Sequence, residues 1–227
     1  MTPRIVQIIY QMIAFLFAIS VHESAHAWTA SRCGDPTARM LGRVSLNPIR
    51  HIDLLGTIIL PLVAAYQFRG LIGWAKPTPV DPRNFRHPMM DDILTSVAGP
   101  VSNFLVATLA LLALGGISLS SGSGHALVMG LAGGIGGAAA DSVLAPVAVL
   151  LYVLMTINIW LAVFNLIPVP PLDGSHVLRH FLSDSVRMVY DRIGMFALLA
   201  LVFLAPGFLN SLIDPPVNFY RWMLVRF

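Results

Sequence analysis

Four long apolar stretches divide the chain, each able to cover the roughly 20 residues a bilayer crossing requires. They are Ile5 to Val21, continuing through His22-Glu23 to about Ala30; Ile93 to Leu119; Ser142 to Val169; and Ile193 to Ile213, interrupted at Pro206-Gly207. A fifth stretch, Leu54 to Phe68, has only 15 uncharged residues and contains Gly56 and Pro61. Its length suits a re-entrant or interfacial segment. The expected fold is therefore an all-α integral membrane protein of about four transmembrane helices plus one such segment. It forms a single membrane-embedded domain over residues 1–227, with a core at about 5–185 and an extra C-terminal span at about 193–213. Although Ala25-His26-Ala27 fits a small-x-small cleavage pattern, the apolar run before it exceeds a signal-peptide core, so the first span is expected to be retained.

Composition agrees with this reading. Of 227 residues 56% are hydrophobic and 11% charged, against about a quarter charged in soluble domains. Eleven Lys and Arg fall in the stretches 32–50, 69–92 and 170–192, and none falls in 120–141. The positive-inside rule places the three basic stretches in the cytoplasm and the 120–141 loop outside. Leu54–Phe68 then has cytoplasm on both flanks and must enter the membrane and return. The basic tail with Arg221 and Arg226 fits an outward last span poorly. The single cysteine, Cys33, excludes an internal disulfide and reads as a bystander thiol. The Gly130–Gly137 run is followed by no Gly-Lys-Ser/Thr and reads as a flexible turn or close packing. No nucleic-acid partner is expected.

Glu23 is the only Glu in the chain. It lies inside an apolar span as part of His22-Glu23-Ser24-Ala25-His26, where polar groups are costly and mark function. On a helix, residues i and i+4 lie about 40° apart, so His22 and His26 can grip one ion. Glu23, about 100° from His22, can hold a water without ligating. Zinc lowers the pKa of such a water toward 7, and a carboxylate can then take its proton. One Zn2+ with Glu23 as base is the expected arrangement.

A hydrolytic zinc needs a third protein ligand and an open position. The candidates are Asp173, His176, His180, His51, His87 and His125. The sidedness above puts His125 on the opposite face, and His51 and His87 in loops where surface imidazoles are the default. In Phe164-Asn165-Leu166-Ile167-Pro168-Val169-Pro170-Pro171-Leu172-Asp173-Gly174 three prolines break the helix at its cytoplasmic end. They present Asp173 on the same side as His22 and His26. A third polar island, Ala98-Gly99-Pro100-Val101-Ser102-Asn103, loosens the second span. Asn103 there either donates to a developing oxyanion or satisfies a neighbouring helix.

Together these islands resemble the site-2 protease family of intramembrane zinc metalloproteases. The matching residues are His22-Glu23-Ser24-Ala25-His26, Gly99-Pro100-Val101-Ser102-Asn103, and Asn165-Leu166-Ile167-Pro168 leading to Asp173-Gly174. Gly34-Asp35-Pro36-Thr37, Leu41 through Pro48 and Gly73-Trp74-Ala75-Lys76-Pro77 look like the compact bacterial members, which lack a PDZ or CBS domain. The resemblance implies zinc on His22, His26 and Asp173, Glu23 as base, and substrate or transition-state contact by Asn103, Gly99 and Asn165. It implies single-span membrane proteins as substrates, in a bilayer that is expected to be a bacterial inner membrane, with the active site toward the cytoplasm. Because a helical substrate must unwind before attack, an exposed strand edge is expected near the site. Met40–Leu46 is the proposed edge, in a short β-hairpin with Leu54–Phe68 beside it. The competing reading is a metal transporter or sensor built on the same His and Asp ligands.

Overall fold

The computed structural model describes residues 2–68, 73–133 and 143–227. Helix α1 (Pro3–Cys33) starts on a proline and stops at Gly34, whose left-handed backbone (φ +115°) turns its N–H onto the Ala30 carbonyl. A side chain at Gly34 would also press on the Asn84 carbonyl. After the single turn α2 (Thr37–Met40), a wide helical turn at Leu54–Ile59 leads into α3 (Leu60–Phe68). Then follow α4 (Pro88–Ser120), α5 (Gly122–Ala132), α6 (Ala145–Asn165), α7 (Asp173–Arg179), α8 (Asp184–Leu204) and α9 (Pro206–Leu224).

Helices α1, α4 and α6 are long and apolar enough to cross a membrane. They pack pairwise into the centre of the molecule. Small residues line their seams: Ala14, Ala18, Ala107, Ala148 and Ala162 are fully buried. In lipid the gain from hiding apolar surface is absent, so close backbone approach over small residues supplies the packing. Larger side chains fill the rest, with Leu111 and Leu114 of α4 against Met155 and Ile159 of α6.

Several expectations change. The 120–141 stretch is not all loop, because α5 packs Leu127 and Val128 into the core; residues 134–142, with the second half of the Gly130–Gly137 run, lie outside the described residues. The fourth span is broken: α8 and α9 meet at an angle of 82°. Pro206 cannot continue the hydrogen-bond ladder, and α9 instead turns Leu209, Ile213, Val217 and Leu224 onto the core. Among the described residues the spans are thus three, or four if the bent pair is one. Helix Leu54–Gln67 is apolar and short. At about 1.5 Å per residue it falls short of a bilayer core of about 30 Å. Met40–Leu46 is not a strand, and no strand occurs among the described residues. Met40 ends α2, and Gly42 turns the chain with a positive φ of 70°. The extended chain runs instead through Trp74, Lys76 and Thr78. Their N–H groups donate at alternate positions to Gly56 O (3.0 Å), His51 O (2.9 Å) and Glu23 Oε2 (2.9 Å).

Candidate metal centre

Helix α1 supplies His22 and His26 one turn apart, and both are buried. Each is fixed through Nδ1. His22 Nδ1 donates to Asn103 Oδ1 (2.5 Å), and His26 Nδ1 donates to the Thr95 carbonyl (2.7 Å). A carbonyl oxygen can only accept, so both imidazoles carry a proton on Nδ1, which in the neutral ring leaves Nε2 as the nitrogen able to bind a metal. A second helix holding the outer nitrogen is the usual device for orienting metal-binding histidines.

Asn103 is fully buried, with its oxygen committed to His22 and its amide donating to Asn158 Oδ1 (2.7 Å) and Ala18 O (3.3 Å). Asn158, buried in α6, donates in turn to Leu154 O (2.8 Å). The chain Asn158–Asn103–His22 crosses all three central helices. Of the two roles the sequence left open for Asn103, these contacts describe the satisfied, helix-linking one. Asn158 carried no signal beyond being a polar residue in an apolar span.

Gly99 lies where α4 passes the imidazoles. A Cβ there would sit on His26 Nε2 and His22 Cε1. Asp173 opens α7, beyond the proline-broken end of α6. Gly174 seats this start directly against the Leu166 carbonyl, where a side chain would collide. The carboxylate faces the histidines, Oδ2 lying 3.1 Å from His22 Nε2 and Oδ1 3.4 Å from His26 Nε2. The two Nε2 atoms are 3.0 Å apart.

These three residues are the set among the described residues whose donor atoms converge as metal ligands do. Zinc bound at about 2.0–2.1 Å in a tetrahedron spaces its ligand atoms about 3.3 Å apart, which matches the observed distances. Asp173 Oδ2 is buried with no hydrogen bond, and the two imidazole Nε2 atoms face its carboxylate and each other. Two neutral imidazoles and a carboxylate arranged so offer their lone pairs to one point, and the donor set fits zinc.

The rival third ligands are engaged elsewhere. His176 and His180 meet Asp92 of α4, at 3.5 Å and 2.8 Å, and so brace α7 on α4. His51, expected at the surface, is fully buried, its Nε2 2.7 Å from the Ser45 carbonyl. His87 lies exposed beside Asp91, and His125 pairs with Ser118 (3.0 Å). Cys33 is a free thiol in the last turn of α1. Asn165 is half-buried, its amide turned back onto Leu161 O (2.9 Å).

Glu23 projects from α1 away from the imidazole face, as the helical period requires. Its Oε2 accepts from Thr78 N (2.9 Å) and Thr78 Oγ1 (2.7 Å), while Thr78 Oγ1 also lies 3.1 Å from the Glu23 carbonyl. Thr78 is a partner that sequence reasoning did not single out. Its only signal was its place in the extended Lys76-Pro77-Thr78-Pro79 run.

A family model described as Peptidase family M50 matches residues 10–205. YwhC of Bacillus subtilis, named as a zinc metalloprotease, is 35% identical over 178 residues, covering 78% of this chain and 71% of that protein. Rip2 of Mycobacterium tuberculosis, named likewise, is 29% identical over 195 residues; they make up 85% of this chain and 65% of the relative. No solved structure matches the chain. The apolar spans, the His22–His26–Asp173 donor set and this family match lead to one assignment: the chain belongs to Peptidase family M50, the site-2 proteases, and is a membrane-embedded zinc metalloprotease.

Proposed function

We propose that the protein hydrolyses peptide bonds in or near the transmembrane segments of single-span membrane proteins, with one zinc ion on His22, His26 and Asp173 and with Glu23 as general base. The observation that carries the reading is the convergence of His22 and His26 of α1 with Asp173 of α7, with Glu23 beside the two histidines on α1. Zinc, when bound, supplies a Lewis acid that acidifies water and polarises a carbonyl. The protein does the rest. Asn103 and Thr95 hold both imidazoles by their outer nitrogens. The Thr78 N–H and hydroxyl hold the Glu23 carboxylate in place, ready to take a proton from the attacking water and return it to the leaving amine. An ion pathway has no use for such a positioned carboxylate, which favours hydrolysis over transport.

A groove of about 360 Å3 follows α1 past Val21, Ala25 and Trp28, walled opposite by Val44 and Leu46. Its mainly apolar lining suits a membrane-derived segment. Gly99, packed against the two imidazoles, and Asn165, at the end of α6, are the further candidate substrate contacts. The basic stretches orient this end of the bundle toward the cytoplasm of a bacterial inner membrane. The test is cleavage of a single-span substrate by the purified protein in detergent. Activity should vanish with a zinc chelator, return with zinc, and be absent from Glu23→Gln. Cleavage that survives zinc removal would refute the reading.

A further inference from the structure

One cluster of charge plays no part in the metal centre. Arg43, Arg50 and Lys76 surround an open basin of about 670 Å3, together with Leu41, Asn47 and Ile49. Among the described residues no carboxylate pairs with any of the three cations, although Arg83, Arg179 and Arg187 all have one. Arg43 is the telling case. It is 6% exposed, and its guanidinium is held only by neutral carbonyls, those of Arg50, Lys76 (3.4 Å) and Pro77 (2.8 Å). Buried charges are normally paired or bound to an ion. Here the geometry is satisfied while the charge stays uncompensated. Arg50 lies close by, its guanidinium packed over the Gly42 turn.

The rim has the opposite character. Leu41 and Ile49 are 59% and 75% exposed, with Met40 and Leu46 similarly bare beside them. A free anion has no use for such a rim. A molecule with a phosphate and acyl chains uses both parts.

We propose that this basin is a binding site for the phosphate of an anionic phospholipid, with Arg43, Arg50 and Lys76 around the phosphate and the acyl chains lying on Leu41, Ile49 and their neighbours. The bound lipid lies against Pro77 and Pro79, the residues flanking the Thr78 that holds Glu23. The site itself does not depend on the proteolytic reading, and its test needs no activity.

The experiment is native mass spectrometry of the purified full chain with added phosphatidylglycerol or phosphatidylcholine. Phosphatidylglycerol should be retained in preference. Arg43 is left intact because its loss endangers the fold; the test variant is Arg50→Gln with Lys76→Gln. Retention should fall roughly fivefold for each cation removed. A control, Arg86→Gln with Arg192→Gln, removes the same charge elsewhere and should retain the lipid. Zinc content and thermal midpoint should match wild type in both variants. Equal retention of the two lipids, or equal losses in the two variants, would overturn the site. Displacement by inorganic phosphate at equal concentration would make free phosphate the ligand, and displacement by an acidic peptide would make it a protein segment; either result removes the lipid assignment.

Discussion

The two sides of the catalytic helix are built differently. On one side, His22 and His26 are buried against α4, tied to Asn103 and Thr95, and closed over by Asp173. On the other, Glu23 meets an extended chain rather than a helix, and its side chain is held by one residue, Thr78. The ligand side draws on three helices whose relative positions are fixed by fully buried alanines. The base side depends on loop residues 73–84, anchored at both ends. Trp74 and Lys76 bond the Leu54–Ile59 region and His51. Asp35 accepts from Asp81 N (2.8 Å) and Asn84 Nδ2 (2.9 Å). Zinc affinity and proton transfer should therefore be separable by mutation.

Asp173→Ala should break the ligand side outright, with zinc lost and proteolysis at background, while His176→Ala, which removes only part of the Asp92 brace, keeps its zinc. Metal analysis of the purified variants decides between them, and the opposite pattern would move the third ligand to His176. Glu23→Gln should leave zinc in place while lowering kcat roughly 10²–10⁴-fold; normal turnover at full occupancy would remove Glu23 from the mechanism. Asn103→Leu should weaken zinc about 10–100-fold, the usual cost of losing a partner that orients a metal-bound histidine, as read by competition with a chelator. Thr78→Ala should lower kcat about tenfold, equivalent to one hydrogen bond to a charged group. Its zinc content should not change, and Thr78→Ser should recover most of the rate. A loss of zinc in Thr78→Ala would show that the two sides are not separate.

The smallest effect concerns pH. Burial pushes Asp35 up, but hydrogen bonds from Thr37, Asn84 and Asp81 outweigh it and hold the carboxyl below its ordinary value of 3.8. A lowered folded pKa means that Asp35 contributes fully to stability above that value and loses the contribution as pH falls through the folded pKa. The thermal midpoint of wild type should drop more steeply in acid than that of Asp35→Asn. Parallel curves would show that Asp35 does not anchor the base-side loop.

The sequence by itself determined the chemistry and the coarse architecture. His22-Glu23-Ser24-Ala25-His26 states its geometry through the helical period, and polar residues in an apolar span stand out because they are costly there. Proline placement signalled both the end of α6 before Asp173 and the break between α8 and α9. What local patterns do not carry was decided by tertiary contact. Asp173 is the third ligand that the family resemblance implies, but what His176 and His180 do instead, both meeting Asp92, is visible only in the packed structure. Asn158 and Thr78 act on residues 55 positions away in the chain, beyond the reach of any periodicity. The expected strand at Met40–Leu46 failed because its loose alternation is overridden by the Gly42 turn and by Arg43, which folds that segment back onto the carbonyls of Arg50 and Pro77. Spacing along the chain sets which residues share a helix face; which distant partner meets that face is fixed only when the helices pack.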